Sequence, residues 1–204
     1  MSTLSENVNN RLKQYGYLIY IANQQLNIIS RRNQRKTINK LIEEAVLPLT
    51  WNICSLESPL LDIGTGAGIP GIPIKLAIPQ ARMTLLDSNR RKCVFLTSAI
   101  SELQLSDIEV NNERAEEYVN NSNNHQIFMT VVSRGVGKIN LMLRWAEILL
   151  MPGGELILWK GDSIRDEMAE YNHNLWEEPQ FLACGSDLVL GRIVRKHSAE
   201  IIIP

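Results

Sequence analysis

The sequence predicts an α/β protein, a mostly parallel sheet with helices on both faces, preceded by a helical extension. Two observations predict it. From residue 60 onward, short apolar runs alternate with helical stretches, and alternating βαβα units imply a parallel sheet. The first of these runs, Leu60-Leu61-Asp62-Ile63, passes directly into the loop Gly64-Thr65-Gly66-Ala67-Gly68-Ile69-Pro70-Gly71, and a helical stretch follows. That is the arrangement of a strand, a phosphate- or nucleoside-cradling turn and a helix N-terminus.

The elements follow in order. Leu12, Tyr15, Leu18, Ile19 and Ala22 recur at helical spacing, as do Ile38, Leu41, Ile42 and Ala45, so the first 50 or so residues read as helices. Pro48 limits the second of them. Strands are expected at Pro59–Ile63, Arg82–Leu86, Asp107–Asn111, Ile127–Val132, Glu155–Trp159 and Ser186–Val194, with helices between them near 70–78, 89–104, 114–120, 138–150 and 163–172. Phe181–Ile203 holds two β-rich runs, expected to close the sheet as an antiparallel hairpin. We therefore expect a helical extension over residues 1–50 and a sheet domain over 51–204.

Composition narrows the class. With 204 residues, 45% hydrophobic and 21% charged, the chain is neither disordered nor collagen-like. The net charge of −1 excludes a histone-like polycation but conceals a polarity. Residues 1–50 hold seven Lys/Arg against three Asp/Glu, residues 51–154 nine against ten, and residues 155–204 five against nine. Arg31, Arg32, Arg35, Lys36 and Lys40 form a cationic run, and Arg90, Arg91 and Lys92 another; each reads as an RNA footprint or a solvated helix face. Cys54, Cys93 and Cys184 are odd in number and lack CxxC spacing, which fits a reducing cytoplasm. His125, His173 and His197 have no metal-ligand spacing, so no metal is expected. No apolar run approaches a membrane span.

The glycine loop fits two patterns. Gly66, Gly68 and Gly71 satisfy GxGxxG, the dinucleotide fingerprint, with Asp87 about 20 residues on at the end of the second strand. Asp62, Gly64, Gly66 and Gly68 also satisfy D-x-G-x-G-x-G, which resembles the first motif of the Rossmann-like S-adenosylmethionine methyltransferases. Two further stretches favour the second pattern. Met151-Pro152-Gly153-Gly154 resembles the turn before strand five of that superfamily, and Ala115-Glu116-Glu117 stands where its members bind adenine.

Residues 60–161 resemble the RsmG/GidB family, the bacterial 16S ribosomal RNA guanine-N7 methyltransferases. The resemblance rests on Leu61–Pro73 (LDIGTGAGIPGIP), Leu85–Leu96 (LLDSNRRKCVFL), Glu113–Tyr118 (ERAEEY), Val132–Gly135 (VSRG) and Trp159–Gly161 (WKG). It implies a class I methyltransferase with a mostly parallel seven-stranded sheet, and S-adenosylmethionine as cofactor. It implies cofactor contacts at Gly64, Ile69, Ala115, Glu116 and Arg134, joined by Asp62, Gly66, Gly68 and Asp87 from the wider superfamily. Arg114, Arg134 and Lys160 are implied at or beside the active site. The implied partner is ribosomal RNA or the small ribosomal subunit, met by a cytoplasmic enzyme that we expect to be a monomer. The chain departs from the family at Lys40-Leu41-Ile42-Glu43-Glu44-Ala45, where the family carries an Arg-His…Leu-Asp-Ser segment, and at Gly135, where it carries Ala.

The chemistry is compatible. No N/D-P-P-Y/F motif follows the fourth strand, no Lys–Asp–Lys–Glu set is present, and no cysteine sits in a Pro-Cys or Thr-Cys motif. Guanine N7 is a lone pair with no proton to remove, so its methylation needs alignment rather than a general base. Methylation of another RNA or a small molecule, or a non-catalytic cofactor- or RNA-binding module, stays open on the sequence alone.

Overall fold

The structure is a computed structural model that describes residues 4–30, 32–52, 54–168, 171–185 and 187–197. Two helices come first, α1 (Glu6–Leu26) and α2 (Gln34–Ala45), joined by a turn in which Asn27 and Asn33 take left-handed backbone. Ser5 opens α1 by accepting a hydrogen bond from the Val8 amide. Pro48 sits in a short 3-10 turn, Leu47–Thr50, that ends the helical region.

Seven strands follow: β1 (Leu60–Ile63), β2 (Met83–Leu86), β3 (Ile108–Asn111), β4 (Phe128–Arg134), β5 (Leu150–Lys160), β6 (Gln180–Ala183) and β7 (Val189–Val194). Between them lie α3 (Gly71–Ala77), α4 (Arg90–Glu102), α5 (Ala115–Asn120), α6 (Ile139–Leu149) and α7 (Ile164–Glu167). The sheet order is β3-β2-β1-β4-β5-β7-β6. The first five strands are parallel, and β7 runs antiparallel between β5 and β6. The order reverses between β1 and β4, which opens a crevice at the carboxyl ends of those strands.

Strand residues alternate between two apolar layers, as a pleated strand requires. Leu60, Val132 and Ile157 face the layer under α1 to α4, whereas Leu61, Val131, Leu156 and Leu158 face the layer under α5 to α7. Tyr15, Ile19 and Ile38 are fully or almost fully buried in the first layer, so the N-terminal helices cover the sheet rather than stand apart from it.

Three boundaries differ from expectation. β4 runs on through Arg134, which pairs in register with Trp159 of β5. β5 starts at Leu150, so Met151–Gly154 lies within the strand, opposite a register irregularity between Phe128 and Thr130. α7 is only four residues long where 163–172 was expected helical; residues 169 and 170 fall outside the described set. Ser186, expected to open the last strand, and residues 198–203 of the expected hairpin also fall outside it, and the observed hairpin is β6–β7.

A buried carboxylate ties the linker to the sheet. Glu155 of β5 is 1% exposed, and its Oε1 accepts from the Ser55 amide (3.0 Å), the Ser55 hydroxyl (3.1 Å) and the Leu56 amide (2.7 Å). Its Oε2 accepts from Arg192 Nε of β7 at 2.5 Å. The charge is thus both paired and hydrogen-bonded, the condition for burying it.

Candidate functional site

A cleft of about 500 Å³ opens at the crevice between β1 and β4, within the range of small-ligand sites. One wall is the glycine loop. The amides of Gly64 and Thr65 both donate to the Leu86 carbonyl, at 2.8 and 3.0 Å, which bends the chain across the end of β2. Asp62, fully buried under the loop, accepts from the Thr65 hydroxyl (2.6 Å) and the Gly71 amide (2.8 Å) through Oδ2, clamping both ends of the turn. Burial is the main cause that lifts its carboxyl from 3.8 to about 7; these two bonds oppose the rise and the nearby Asp87 adds to it. The other oxygen, Oδ1, is buried with no hydrogen-bond partner among the described residues.

From above, α1 reaches the same loop, where the buried Tyr15 hydroxyl donates to the Ala67 carbonyl. Burial, with Asp62 nearby, pushes the Tyr15 phenol up, so it stays a donor. Gly68 is packed against this contact and faces inward, away from the cleft.

Asp87 stands just past β2. Its Oδ2 accepts from the Gly66 amide at 2.9 Å, its Oδ1 from the Asn89 amide at 2.8 Å, and Lys92 Nζ lies 3.7 Å away. Asn112 Nδ2 holds the Asp87 carbonyl at 2.9 Å. Arg114 precedes α5, whose first turn brings Ala115 and Glu116 to the cleft. At the far wall Arg134, the last residue of β4, gives a 2.5 Å hydrogen bond from Nη2 to Glu44 Oε2 of α2. Its Nη1 is buried and, among the described residues, has no hydrogen-bond partner. Trp159 Nε1 donates to the Glu44 carbonyl at 2.7 Å.

The structure therefore places Gly64, Gly66, Ile69, Asp87, Arg114, Ala115, Glu116 and Arg134 on one cleft. Asp62 and Gly68 shape the loop from behind it. Lys160 lies beside the cleft, off its lining, with Nζ on the Gly137 carbonyl at 2.6 Å. The sequence reading did not single out Ile28, Ile29 and Leu41, which roof the cleft, or Trp145 at its back as a site residue. Nothing in local spacing marks them, since they meet the loop only through the tertiary fold. The Asn23 side chain sets the roof, accepting from the Ile29 amide at 2.9 Å.

Arg32, Arg35, Lys36 and Lys40 are exposed on and before α2, as are Arg90 and Arg91 at the start of α4; Arg31 lies outside the described residues. Arg35 stacks 4.8 Å above the Tyr20 ring. Among the described residues, no group of three His, Cys, Asp or Glu could hold a metal ion, and no helix is long and apolar enough to cross a membrane.

Solved structures share this architecture. A ribosomal protein L11 methylase from Lactobacillus delbrueckii subsp. bulgaricus superposes with a TM-score of 0.59 at 19% identity, over 78% of this chain and 79% of that one. The putative methyltransferase yhhF from Escherichia coli gives 0.59 at 15% identity, over 77% and 86%. At such identities they speak for the fold alone, a class I methyltransferase fold. Sequence relatives are more specific. The Ribosomal RNA small subunit methyltransferase G of Carboxydothermus hydrogenoformans is 33% identical over 157 residues, 76% of this chain and 66% of that protein. That of Mycoplasma capricolum is 32% identical over 168 residues, 82% and 71%. The match thus spans about two thirds of the length of these relatives. The family model for rRNA small subunit methyltransferase G matches residues 8–182, a span that takes in the glycine loop, Asp87, Arg134 and Lys160. With fold, cleft and relatives in agreement, the chain belongs to the GidB family of small-subunit ribosomal RNA methyltransferases.

Proposed function

We propose that this protein is a cytoplasmic S-adenosylmethionine-dependent methyltransferase acting on N7 of a guanine in 16S ribosomal RNA. The observation that carries the reading is the cleft itself. It joins a glycine loop, an acid after β2 and an arginine at the end of β4 at the switch point of the sheet. The residues present fit the cofactor. An added Cβ at Gly66 would meet nothing nearer than 3.8 Å, so the loop surface is open to a ligand. Asp87 suits the ribose hydroxyls. Gly64, Gly66 and Ile69 suit the amino-acid side, and Ala115 and Glu116 the adenine. Asp62 and Gly68 act by holding the loop in shape. When bound, the cofactor supplies an electrophilic methyl group on a sulfonium.

The chain's own work is then alignment. N7 needs no proton removed, and no side chain of the cleft is arranged as a general base. Arg134 would hold the cofactor or the base. Lys160, on the Gly137 carbonyl, would steady the loop after β4 and reach guanine O6 or a phosphate. Arg114 and the exposed cations of α2 and α4 would meet RNA phosphates, which makes binding salt-sensitive. Residues 1–50 would then serve as a helical arm on the catalytic domain 51–204, and the working unit would be a monomer without metal.

The test is incubation with labelled cofactor and, separately, small ribosomal subunits, naked ribosomal RNA and a metabolite pool, with the modified nucleoside identified by mass spectrometry. Label in 7-methylguanosine from ribosomal RNA is expected, and Arg134→Ala is expected to lose cofactor affinity or turnover. Label only in the metabolite pool, or in another nucleoside, overturns the reading.

A further inference from the structure

Arg134 is a long side chain with five N–H donors, and its usefulness at the cleft depends on where it is held. The residue that holds it is Glu44, near the end of α2. Glu44 is 8% exposed. Its side chain takes the 2.5 Å bond from Arg134 Nη2. Its backbone carbonyl takes the 2.7 Å bond from Trp159 Nε1. Arg134 and Trp159 are register partners on β4 and β5, so one residue of α2 is pinned to two adjacent strand ends. The outer oxygen, Oε1, lies 3.6 Å from Lys40 Nζ, one helical turn earlier and 60% exposed. The inner oxygen is thus left to Arg134. With Nη2 engaged and Nη1 buried, the guanidinium is held in place on a side chain that lines the cleft.

We propose that Glu44 is a positioning residue for Arg134. It fixes the guanidinium against the cleft wall and neutralises its charge beside a cationic cofactor. The inference rests on the cofactor reading above and assigns α2 a direct part in it. Two physical effects underlie it. A carboxylate–guanidinium bond between half-buried groups is charge-assisted and directional. Losing the carboxylate frees a long side chain whose many rotamers then compete with the one that meets the cleft.

The experiment titrates S-adenosylhomocysteine calorimetrically into wild type, Glu44→Gln, Glu44→Ala, Arg134→Ala and the double variant Glu44→Gln/Arg134→Ala, with melting points for each. Glu44→Gln keeps the shape and the backbone bond to Trp159 while removing the charge, so it decides the matter if Glu44→Ala folds poorly. Expected is a loss of about tenfold in affinity for both Glu44 variants, with the melting point of Glu44→Gln shifted by only a few degrees. Adding Glu44→Gln to Arg134→Ala is expected to change affinity less than twofold, because the residue then has nothing to position. KM for the cofactor should rise more than kcat falls. Unchanged affinity in both Glu44 variants overturns the proposal alone, as does the same fold-loss with and without Arg134. Failure of the wild type to bind S-adenosylhomocysteine overturns the cofactor reading, and this inference with it.

Discussion

Gly66 and Gly68 stand two residues apart in one loop, both with left-handed backbone, at φ +61 and +78. Substituting each by alanine should nevertheless give opposite results. A methyl group at Gly68 would run into the Tyr15 hydroxyl and come within 2.7 Å of Leu96 and 2.9 Å of Ile72. All three side chains are buried and cannot swing aside. The left-handed backbone costs about 1–2 kcal/mol for a residue with a Cβ, and overpacking costs roughly another 1–3 kcal/mol. At Gly66 the nearest atoms are the Gly64 carbonyl oxygen at 3.8 Å and Lys92 Nζ at 4.0 Å, so only the backbone cost applies. In a chain of this size each kcal/mol lowers the melting point by about 2–4 °C. Gly68→Ala should therefore melt roughly 4–20 °C low, and Gly66→Ala only about 2–8 °C low. Gly66→Ala should instead lose cofactor affinity, since its methyl stands in the cleft. Scanning fluorimetry and calorimetric titration separate the two effects. The reasoning is refuted if the variants melt alike, or if Gly68→Ala keeps full stability.

Other expectations follow the same logic. Asp62 has a folded value of about 7 against 3.8. Its contribution to stability is therefore complete below about pH 4 and lost as pH rises through 7. Relative to Asp62→Asn, wild type should lose on the order of a few kcal/mol across that window; a constant difference in urea-unfolding free energy from pH 4 to 8 would rule this out. Tyr15→Phe leaves the buried Ala67 carbonyl without its donor, so unfolding should become easier by about 1–3 kcal/mol, with weaker cofactor binding. Glu155→Ala removes the acceptor of Arg192 Nε and of the Ser55 and Leu56 amides and leaves the Arg192 charge without its carboxylate, and chemical denaturation should register a loss of about 3–5 kcal/mol.

The core of the fold was legible because its signals are local. A strand, glycine loop and helix are continuous in Leu60–Ala77, and short apolar runs alternating with helical stretches mark β1 to β4 and the helices between them without reference to anything distant. The end of β5 was less so. Met151–Gly154 was expected as a turn from its resemblance to the methyltransferase superfamily, yet pairing with β4 draws it into the strand around an irregularity. The site divided the same way. Gly64, Gly66, Asp87, Ala115 and Arg134 stand on motif positions and meet at the cleft. Glu44 and Tyr15 carried no such mark, one lying in a helical stretch just after a cationic run and the other in an apolar stripe. Their roles arise from a helix crossing the sheet, and periodicity reports which face is buried but not which atom it touches.

The ties between the N-terminal helices and the rest have a consequence in time. Tyr15 reaches Ala67 across 52 residues, Glu44 meets Arg134 across 90, and Trp159 returns to Glu44 across 115. During synthesis α1 and α2 emerge well before the strands they cover, with apolar faces bare and their polar anchors unmade. Contacts this remote close slowly, and a waiting apolar helix is open to the wrong partner. The last of these anchors is made only when β5 is in place, so a ribosome stalled before residue 159 would carry a glycine loop braced by Asp62 beside an α2 that still lacks its bond to Trp159.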